Sequence, residues 1–178
     1  MQPSPPIFES FLEMLRRTQR WCPEVAKTSI LFEDVPMAEV EILIQFLVES
    51  GEDKALGILM CVCGVNNVKL DPHILAQALK VAEPVTDFAF PYRVQGMDAI
   101  EPLLKVVQAE DISRERQAFG AIIAAELAVR FDSHRQSVKK VLLKLSQKTY
   151  SLEANLIIDH SLALLNDEAV PQSDQPWF

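Results

Sequence analysis

The sequence is poor in the residues and patterns that build β-sheets. Its 178 residues include only five glycines, and no stretch shows sustained alternation of β-branched and polar residues. The one strand-like fragment, residues 28–32, is too short and too isolated to found a sheet. Leucine, alanine, valine and glutamate are abundant instead, and this composition favours helices over a turn-rich β architecture. We therefore predict an all-α fold.

The sequence also lacks a long hydrophobic run, a secretory signal and a disulfide framework. The longest apolar run covers residues 55–65, whereas a membrane helix needs roughly 20 residues. The first residues lack a basic region followed by an apolar one. Cysteines number only three, and Cys61 and Cys63 point about 200° apart on a predicted helix, so they do not converge on one metal. We expect a cytoplasmic protein that does not associate with membranes.

Composition and charge indicate a globular protein and argue against one class of function. Hydrophobic residues make up 49% of the chain and charged residues 24%, which is typical of a globular domain. We expect one domain over residues 1–166, followed by a flexible, proline-rich tail over residues 167–178. The formal net charge of −8 argues against a general nucleic-acid binder.

Two parts of the chain repeat one another. When residues 40–59 are aligned with residues 100–122, Glu41 matches Glu101, Leu43 matches Leu103, and "ALG" at 55–57 matches "AFG" at 118–120. We predict a repeat of about 60 residues, with copies at about 39–83 and 99–149 and a partial third copy at 150–167. A glycine inside a strong helix, as at 57 and 120, indicates a close helix crossing.

The segment "AIEPLLKVVQAEDISRERQAFGAIIAAEL", residues 99–127, resembles a HEAT repeat. The matching residues are Ile100, Pro102, Leu103, Leu104, Asp111, Arg116, Ala118 and Gly120. The resemblance implies a HEAT-like α-solenoid, or an irregular helical bundle, of about eight helices. It also implies a polar ladder between units, formed by Asp111 and Arg116. The match is weaker over residues 39–65, which have no equivalent of Arg116.

Two short motifs, "LDPH" at 70–73 and "FDSH" at 131–134, have two interpretations. In the first, Asp71 with His73 and Asp132 with His134 form half-sites for a metal or for acid–base chemistry. Alternatively, both aspartates cap the start of a helix, which the proline after Asp71 favours. We prefer capping, and the chain contains no phosphate loop, nucleophile elbow or HExxH motif. We therefore predict a protein that is not an enzyme and binds no metal or cofactor.

Three segments are candidates for binding a partner. The connection at 86–96 carries aromatic and arginine residues of the kind enriched at interfaces, although they would equally fill the seam between the two copies: Phe88, Phe90, Tyr92 and Arg93. At the end of the chain, Trp177 and Phe178 are expected to occupy a groove on this fold or on a partner.

The third segment is the predicted helix 134–147. Its apolar stripe of Val138, Val141, Leu142 and Leu145 leaves cations on the outer face, namely Arg135, Lys139, Lys140 and Lys144. This face is either an ordinary solvated surface or a docking site for an anionic partner.

The function that we predict is a non-catalytic adaptor, or a subunit of a larger assembly, that binds a protein partner through a helical-repeat surface. The alternative is binding of nucleic acid or another anionic partner through residues 134–148. Self-association into a homo-oligomer is a third hypothesis.

Overall fold

Helices form most of the described part of the chain. The structure, a computed structural model, describes residues 6–17, 37–82, 95–148 and 151–167. Over these ranges there is no strand, and the α-helices are α1 (Pro6–Arg17), α2 (Met37–Ser50), α3 (Asp53–Val65), α4 (Pro72–Val81), α5 (Ile100–Val107), α6 (Arg114–Arg130), α7 (Arg135–Ser146) and α8 (Leu152–Leu165). Short 3-10 turns at Met97–Ala99 and Asp132–His134 precede α5 and α7. The prediction of an all-α fold is confirmed for these residues.

Local signals in the sequence set where several helices begin and end. Asp71 caps α4, and its Oδ1 accepts hydrogen bonds from the amides of His73 at 2.8 Å and Ile74 at 3.2 Å. The hydroxyls of Ser113 and Ser151 cap α6 and α8 in the same way. Gly51 follows α2 with a φ of +69°, a left-handed conformation that favours glycine. The chain therefore turns where its own side chains and glycine stop the helices.

The most extensive helix contacts join elements that are close in sequence. Helix α2 packs on α3 and α4, α4 continues onto α5, and α5 packs on α6. Helix α6 is central in the later half, where it also contacts α7 and α8. Helix α1 packs on α3. This arrangement places α7 and α8 after the central helix α6, where one side of each remains open to solvent.

One continuous hydrophobic core runs through these helices. In α3 every residue from 55 to 64 is buried, and α6 is buried from Gln117 to Ala121 and again from Ile123 to Ala125. Burial of a leucine or isoleucine side chain contributes about 1.5–3 kcal/mol. Because neighbouring helices pack on several sides of α3 and of α6, apolar residues surround nearly the whole circumference of each helix.

Helix α6 crosses its neighbours at Gly120, as the glycine in a strong helix predicts. Leu79 of α4 and Val107 of α5 approach Gly120 so closely that a β-carbon there would meet both side chains. Close approach of this kind requires glycine, and it lets three helices meet at one point.

Polar contacts also connect α6 to α4. Arg116 donates hydrogen bonds from Nη2 to the carbonyl of Val81 at 2.8 Å and from Nε to that of Ala82 at 3.3 Å. Nearby, Lys80 Nζ lies 3.7 Å from Asp111 Oδ2. Asp111 and Arg116, the two residues of the HEAT resemblance, thus both reach the end of α4, but through separate partners.

Candidate functional site

Helix α7 presents the apolar stripe and the cationic face that the sequence predicts. Val138, Leu142 and Leu145 are buried against the core, and Val141 is half-buried beside them. The opposite side faces solvent. Lys140 and Lys144 lie one turn apart on this side and are exposed.

The lysines of α7 have no carboxylate partner among the described residues. No Asp or Glu in those ranges lies within ion-pair distance of Lys139, Lys140, Lys144 or Lys148. Lys139 is half-buried, whereas the other three are exposed. Among the described residues, the lysines of α7 are therefore positive charges without a paired carboxylate, in a protein whose net charge is −8.

Arg135 has a different role from these lysines. Its Nη1 donates a 2.6 Å hydrogen bond to Asp167 Oδ2, and its Nε lies 3.0 Å from Asp132 Oδ1. The Nε–H is not directed at that oxygen, so the contact with Asp132 is an ion pair without a hydrogen bond. The hydrogen bond to Asp167, together with both carboxylate charges, raises the pKa of Arg135. Arg135 joins the start of α7 to the end of α8, and it is 21% exposed.

Exposed leucines accompany the lysines at one end of the helix pair. Leu143, in the last turn of α7, is 46% exposed, while Leu152 and Leu156, in the first turns of α8, are 76% and 44% exposed. Because the end of α8 meets the start of α7 at Arg135, the two helices run antiparallel, and these leucines lie at the same end of the hairpin. We call Lys140, Leu143, Lys144, Leu152 and Leu156 the lysine–leucine end.

The leucines of this surface were not predicted from the sequence, although the helical spacing of α7 carries a signal for Leu143. Leu143 falls outside the apolar stripe of α7, about 100° around the helix from Leu142. In α8 the buried residues are Ala154, Ile158, Ser161 and Leu165, so Leu152 and Leu156 lie off that line. Apolar residues that fall outside the buried stripe of an amphipathic helix point to exposed hydrophobic surface.

The twin Asp and His motifs do not form a shared site. Asp71 caps α4 as predicted, and His73 is exposed in the first turn. The prediction of a cap at Asp132 is wrong: the chain makes a 3-10 turn there, and no side chain caps it or α7. Only Phe131 separates that turn from α6, and the carboxylate of Asp132 forms an ion pair with Arg135. His134 is half-buried, with Nδ1 3.0 Å from Ser133 Oγ.

The described cysteines and His160 are not among the residues of the lysine–leucine end, whereas exposed Glu153 of α8 adjoins Leu152 and Leu156. In the described ranges no group of three or more His, Cys, Asp and Glu side chains is arranged to hold a metal ion. Cys61 and Cys63 are buried in α3, and burial raises the pKa of the Cys63 thiol far above its usual value. Burial lowers the pKa of His160 on α8, against an opposing charge effect of Glu126. In both cases burial disfavours the charged form of the side chain.

The remaining candidate residues lie outside the described ranges. They are Phe88, Phe90, Tyr92 and Arg93 in the 86–96 connection, and Trp177 and Phe178 at the end of the chain.

Comparisons with known proteins assign the chain to no family. The chain matches no protein-family model, no curated protein and no solved structure. No helix in the described ranges has the length and apolar character required to span a bilayer.

Proposed function

We propose that this chain is a non-catalytic protein-interaction module, an adaptor or a subunit of a larger assembly, and that the lysine–leucine end binds its protein partner. The observation that carries the proposal is the exposure of Leu143 between two lysines that have no carboxylate partner in the described ranges. Single exposed leucines are common on proteins and need no explanation. Three at one end of one hairpin, bordered by cations, form the mixed surface typical of a binding site.

The chemistry of the surface defines the partner. Leucines favour apolar side chains, and the lysines favour carboxylates close to them. We infer that the partner presents an acidic segment with one or more large apolar residues. Lysines at the edge of such a contact mainly set the association rate and its salt dependence, while the leucine supplies affinity.

We also propose that the helices stack as a HEAT-like solenoid in the cytoplasm. Support for stacking comes from the contacts between helices close in sequence and from the reach of Arg116 to the end of α4. Support for a reducing compartment comes from the buried Cys61 and Cys63 thiols.

Site-specific photo-crosslinking tests the proposed surface. A photoreactive residue is placed at Leu143 of the full chain and, as a matched control, at Gln77, which is exposed on α4. Proteins from the native source that are captured at 143 and not at 77 are identified by mass spectrometry and then purified. Their binding to the unlabelled chain is measured directly.

The binding measurement decides the proposal. Leu143→Ser is expected to weaken binding roughly fivefold, because a half-exposed leucine loses about 1 kcal/mol of further burial. Lys140→Glu with Lys144→Glu is expected to slow association and remove most of its salt dependence. Lys54→Glu with Lys105→Glu, exposed lysines on α3 and α5, is expected to bind as the wild type does. Equal binding by all three variants would reject this surface.

Nucleic-acid binding through residues 134–148 is the second candidate, because Lys140, Lys144 and Lys148 are exposed and have no carboxylate partner in the described ranges. The net charge of −8 and the exposed leucines favour a protein partner instead. An electrophoretic mobility series from low to high salt separates the two candidates. Nucleic-acid binding predicts a complex that weakens steeply with salt and is lost in the Lys140→Glu, Lys144→Glu variant.

A further inference from the structure

We propose that residues 168–178 of this same chain dock on the lysine–leucine end and compete there with the partner. This inference rests on the surface defined under the proposed function, and it names an occupant that regulates access to it. Four features of the segment support docking: its charge, the point at which it leaves α8, its length and the apolar residues that it carries.

The segment carries negative charge, whereas the lysine–leucine end carries positive charge. Residues 168–178 include Glu168 and Asp174 and contain no lysine, arginine or histidine. Lys140 and Lys144 are exposed on α7 and have no carboxylate within ion-pair distance in the described ranges. Docking of the segment therefore brings carboxylates to lysines that have no paired carboxylate in the described ranges.

The structure fixes where the segment starts. Asp167 at the end of α8 is held by Arg135 through a 2.6 Å hydrogen bond, so the chain leaves the hairpin beside the first turn of α7. Along the axis of α7, Leu143 lies about 12 Å beyond Arg135, because each residue of an α-helix adds 1.5 Å. The segment therefore starts beside the first turn of the helix that carries the lysines, and only part of that helix separates this point from Leu143.

The segment is long enough to cross this distance. Trp177 follows Asp167 by ten residues, which span about 33–36 Å when fully extended. Most of that reach is not needed for the path to Leu143. A tethered segment of this length has an effective concentration of about 1 mM at a nearby site, well above the concentration of separate molecules in most experiments. The tether favours docking within one molecule over docking between two.

The apolar residues of the segment also match the surface. Trp177 and Phe178 are large aromatic residues, and each can bury about 150–250 Å². Leu143, Leu152 and Leu156 together offer exposed apolar surface near the end of the same hairpin. Aromatic residues placed after two acidic ones reproduce the acidic and apolar pattern that we infer for the partner. The segment and the partner therefore compete for one surface.

Tryptophan fluorescence tests this directly. The chain has two tryptophans, Trp21 and Trp177, so Trp21→Phe leaves Trp177 as the only one. If folding of that variant is impaired, the difference between the spectra of the wild type and Trp177→Phe gives the same information. Quenching is measured with acrylamide, which is uncharged and so is not drawn to the lysines as iodide would be.

The expected result is protection of Trp177 at every protein concentration. Its emission is expected to be blue-shifted, and its quenching constant at least twofold lower than that of a free peptide with the sequence of residues 168–178. Lys140→Glu with Lys144→Glu, and separately Leu143→Ser, are expected to return quenching toward the value of the free peptide. Lys54→Glu with Lys105→Glu is the matched charge reversal on other helices and is expected to leave Trp177 protected.

Three results would overturn the inference. The first is quenching of Trp177 equal to that of the free peptide. The second is protection that appears only as protein concentration rises, which shows docking on a second molecule or aggregation. The third is protection that survives both the lysine and the Leu143 variants, which shows docking elsewhere.

Partner binding gives a separate readout. With a partner identified by crosslinking at Leu143, Trp177→Ala with Phe178→Ala in the full chain is expected to raise partner affinity several-fold. Unchanged affinity would reject the competition. Because Trp177 protection is measured without any partner, the failure of the proposed function and the failure of this inference are distinguishable.

Discussion

Gly120 of α6 packs against Val107 of α5 so closely that a β-carbon at position 120 would overlap the Cγ2 methyl of the valine. The same β-carbon would lie 3.0 Å from Leu79 Cδ2 of α4. Valine is β-branched and has one stiff side-chain torsion, so it has little freedom to move aside. The absence of a side chain at position 120 thus sets the distance among three helices.

Gly120→Ala is expected to destabilise the chain. Alanine is the better helix former by about 1 kcal/mol, but overpacking in a well-packed core typically costs about 1–3 kcal/mol. Because the contact is with a stiff side chain, we expect the overlap to outweigh the gain in helix propensity. Urea denaturation followed by circular dichroism measures the free energy of unfolding.

A second substitution provides the control for this prediction. Val107→Ala removes the methyl that the new β-carbon meets, and alone it leaves a small cavity. In the double variant the two changes compensate, so the loss of stability is expected to be smaller than the sum of the single losses. Additive losses, or a stabilised Gly120→Ala variant, would show that the crossing has room for a side chain.

The two aspartates of the repeated motif are expected to differ in their effect on stability. Asp71→Ala removes an N-cap that accepts two amide hydrogen bonds, and loss of such a cap costs about 0.5–2 kcal/mol. Asp132→Ala removes only an exposed ion pair with Arg135, which contributes roughly 0–1 kcal/mol. Thermal unfolding of both variants measures the difference, and equal losses would contradict the assignment of a cap to Asp71 alone.

These two residues show how far sequence reasoning extends. A cap such as Asp71 depends on a few neighbouring residues, above all the proline that follows it, and these are visible in the sequence. The conformation at Asp132 depends on how closely α7 follows α6, and on Arg135 being drawn to Asp167, which lies 32 residues away in sequence. A tertiary contact of this kind has no local signal.

The candidate site likewise combines features that the sequence predicts with features that depend on tertiary contacts. Helical spacing predicted both the buried stripe and the exposed lysines of α7, because both follow from a period of 3.6 residues. The same spacing grouped Arg135 with the lysines, yet the structure places it between two carboxylates. The exposure of Leu152 and Leu156 depends on which side of α8 faces α6 and α7, and the apolar residues around much of α8 leave that side undetermined in the sequence.

Arg116 offers a test of the connection between α4 and α6. Arg116→Met keeps most of the side-chain length but removes the hydrogen bonds to the carbonyls of Val81 and Ala82. Hydrogen bonds to a charged donor contribute about 1.5–3 kcal/mol, so we expect a loss in this range, reduced by the partial exposure of the side chain. Arg116→Lys is expected to recover only part of it, because an ammonium group does not reproduce the planar fork of the guanidinium.

Hydrogen exchange locates this effect in the structure. Loss of the Arg116 hydrogen bonds is expected to speed exchange of the amides in the last turn of α4 more than those of α8. Lys105→Met on α5 is the control, since Lys105 is exposed and pairs with no described carboxylate. Uniform acceleration in all helices would instead indicate a global loss of stability without a specific role at α4.

Arg16 and Glu52 connect α1 to the start of α3 and give the chain a pH-dependent element of stability. Arg16 Nε donates a 2.8 Å hydrogen bond to Glu52 Oε2, and Nη2 donates a second one to Oε1. The hydrogen bond from Arg16 lowers the pKa of Glu52, with its positive charge acting in the same direction and burial acting against it. Because the pKa is lowered on folding, this stability is present above the unfolded pKa of about 4.3 and is lost as pH falls through the folded pKa.

Glu52→Gln is therefore expected to destabilise the chain at neutral pH and to match the wild type in acid. The side chains are 45% and 24% exposed for Arg16 and Glu52, so solvent screens the pair and the loss at pH 7 is expected to be below about 1 kcal/mol. The loss is also expected to shrink in about 1 M salt. Denaturation from pH 7 to pH 3 measures it, with Glu49→Gln, an exposed residue of α2, as the control. If the difference between wild type and Glu52→Gln persisted unchanged at pH 3, the carboxylate charge would not be its source.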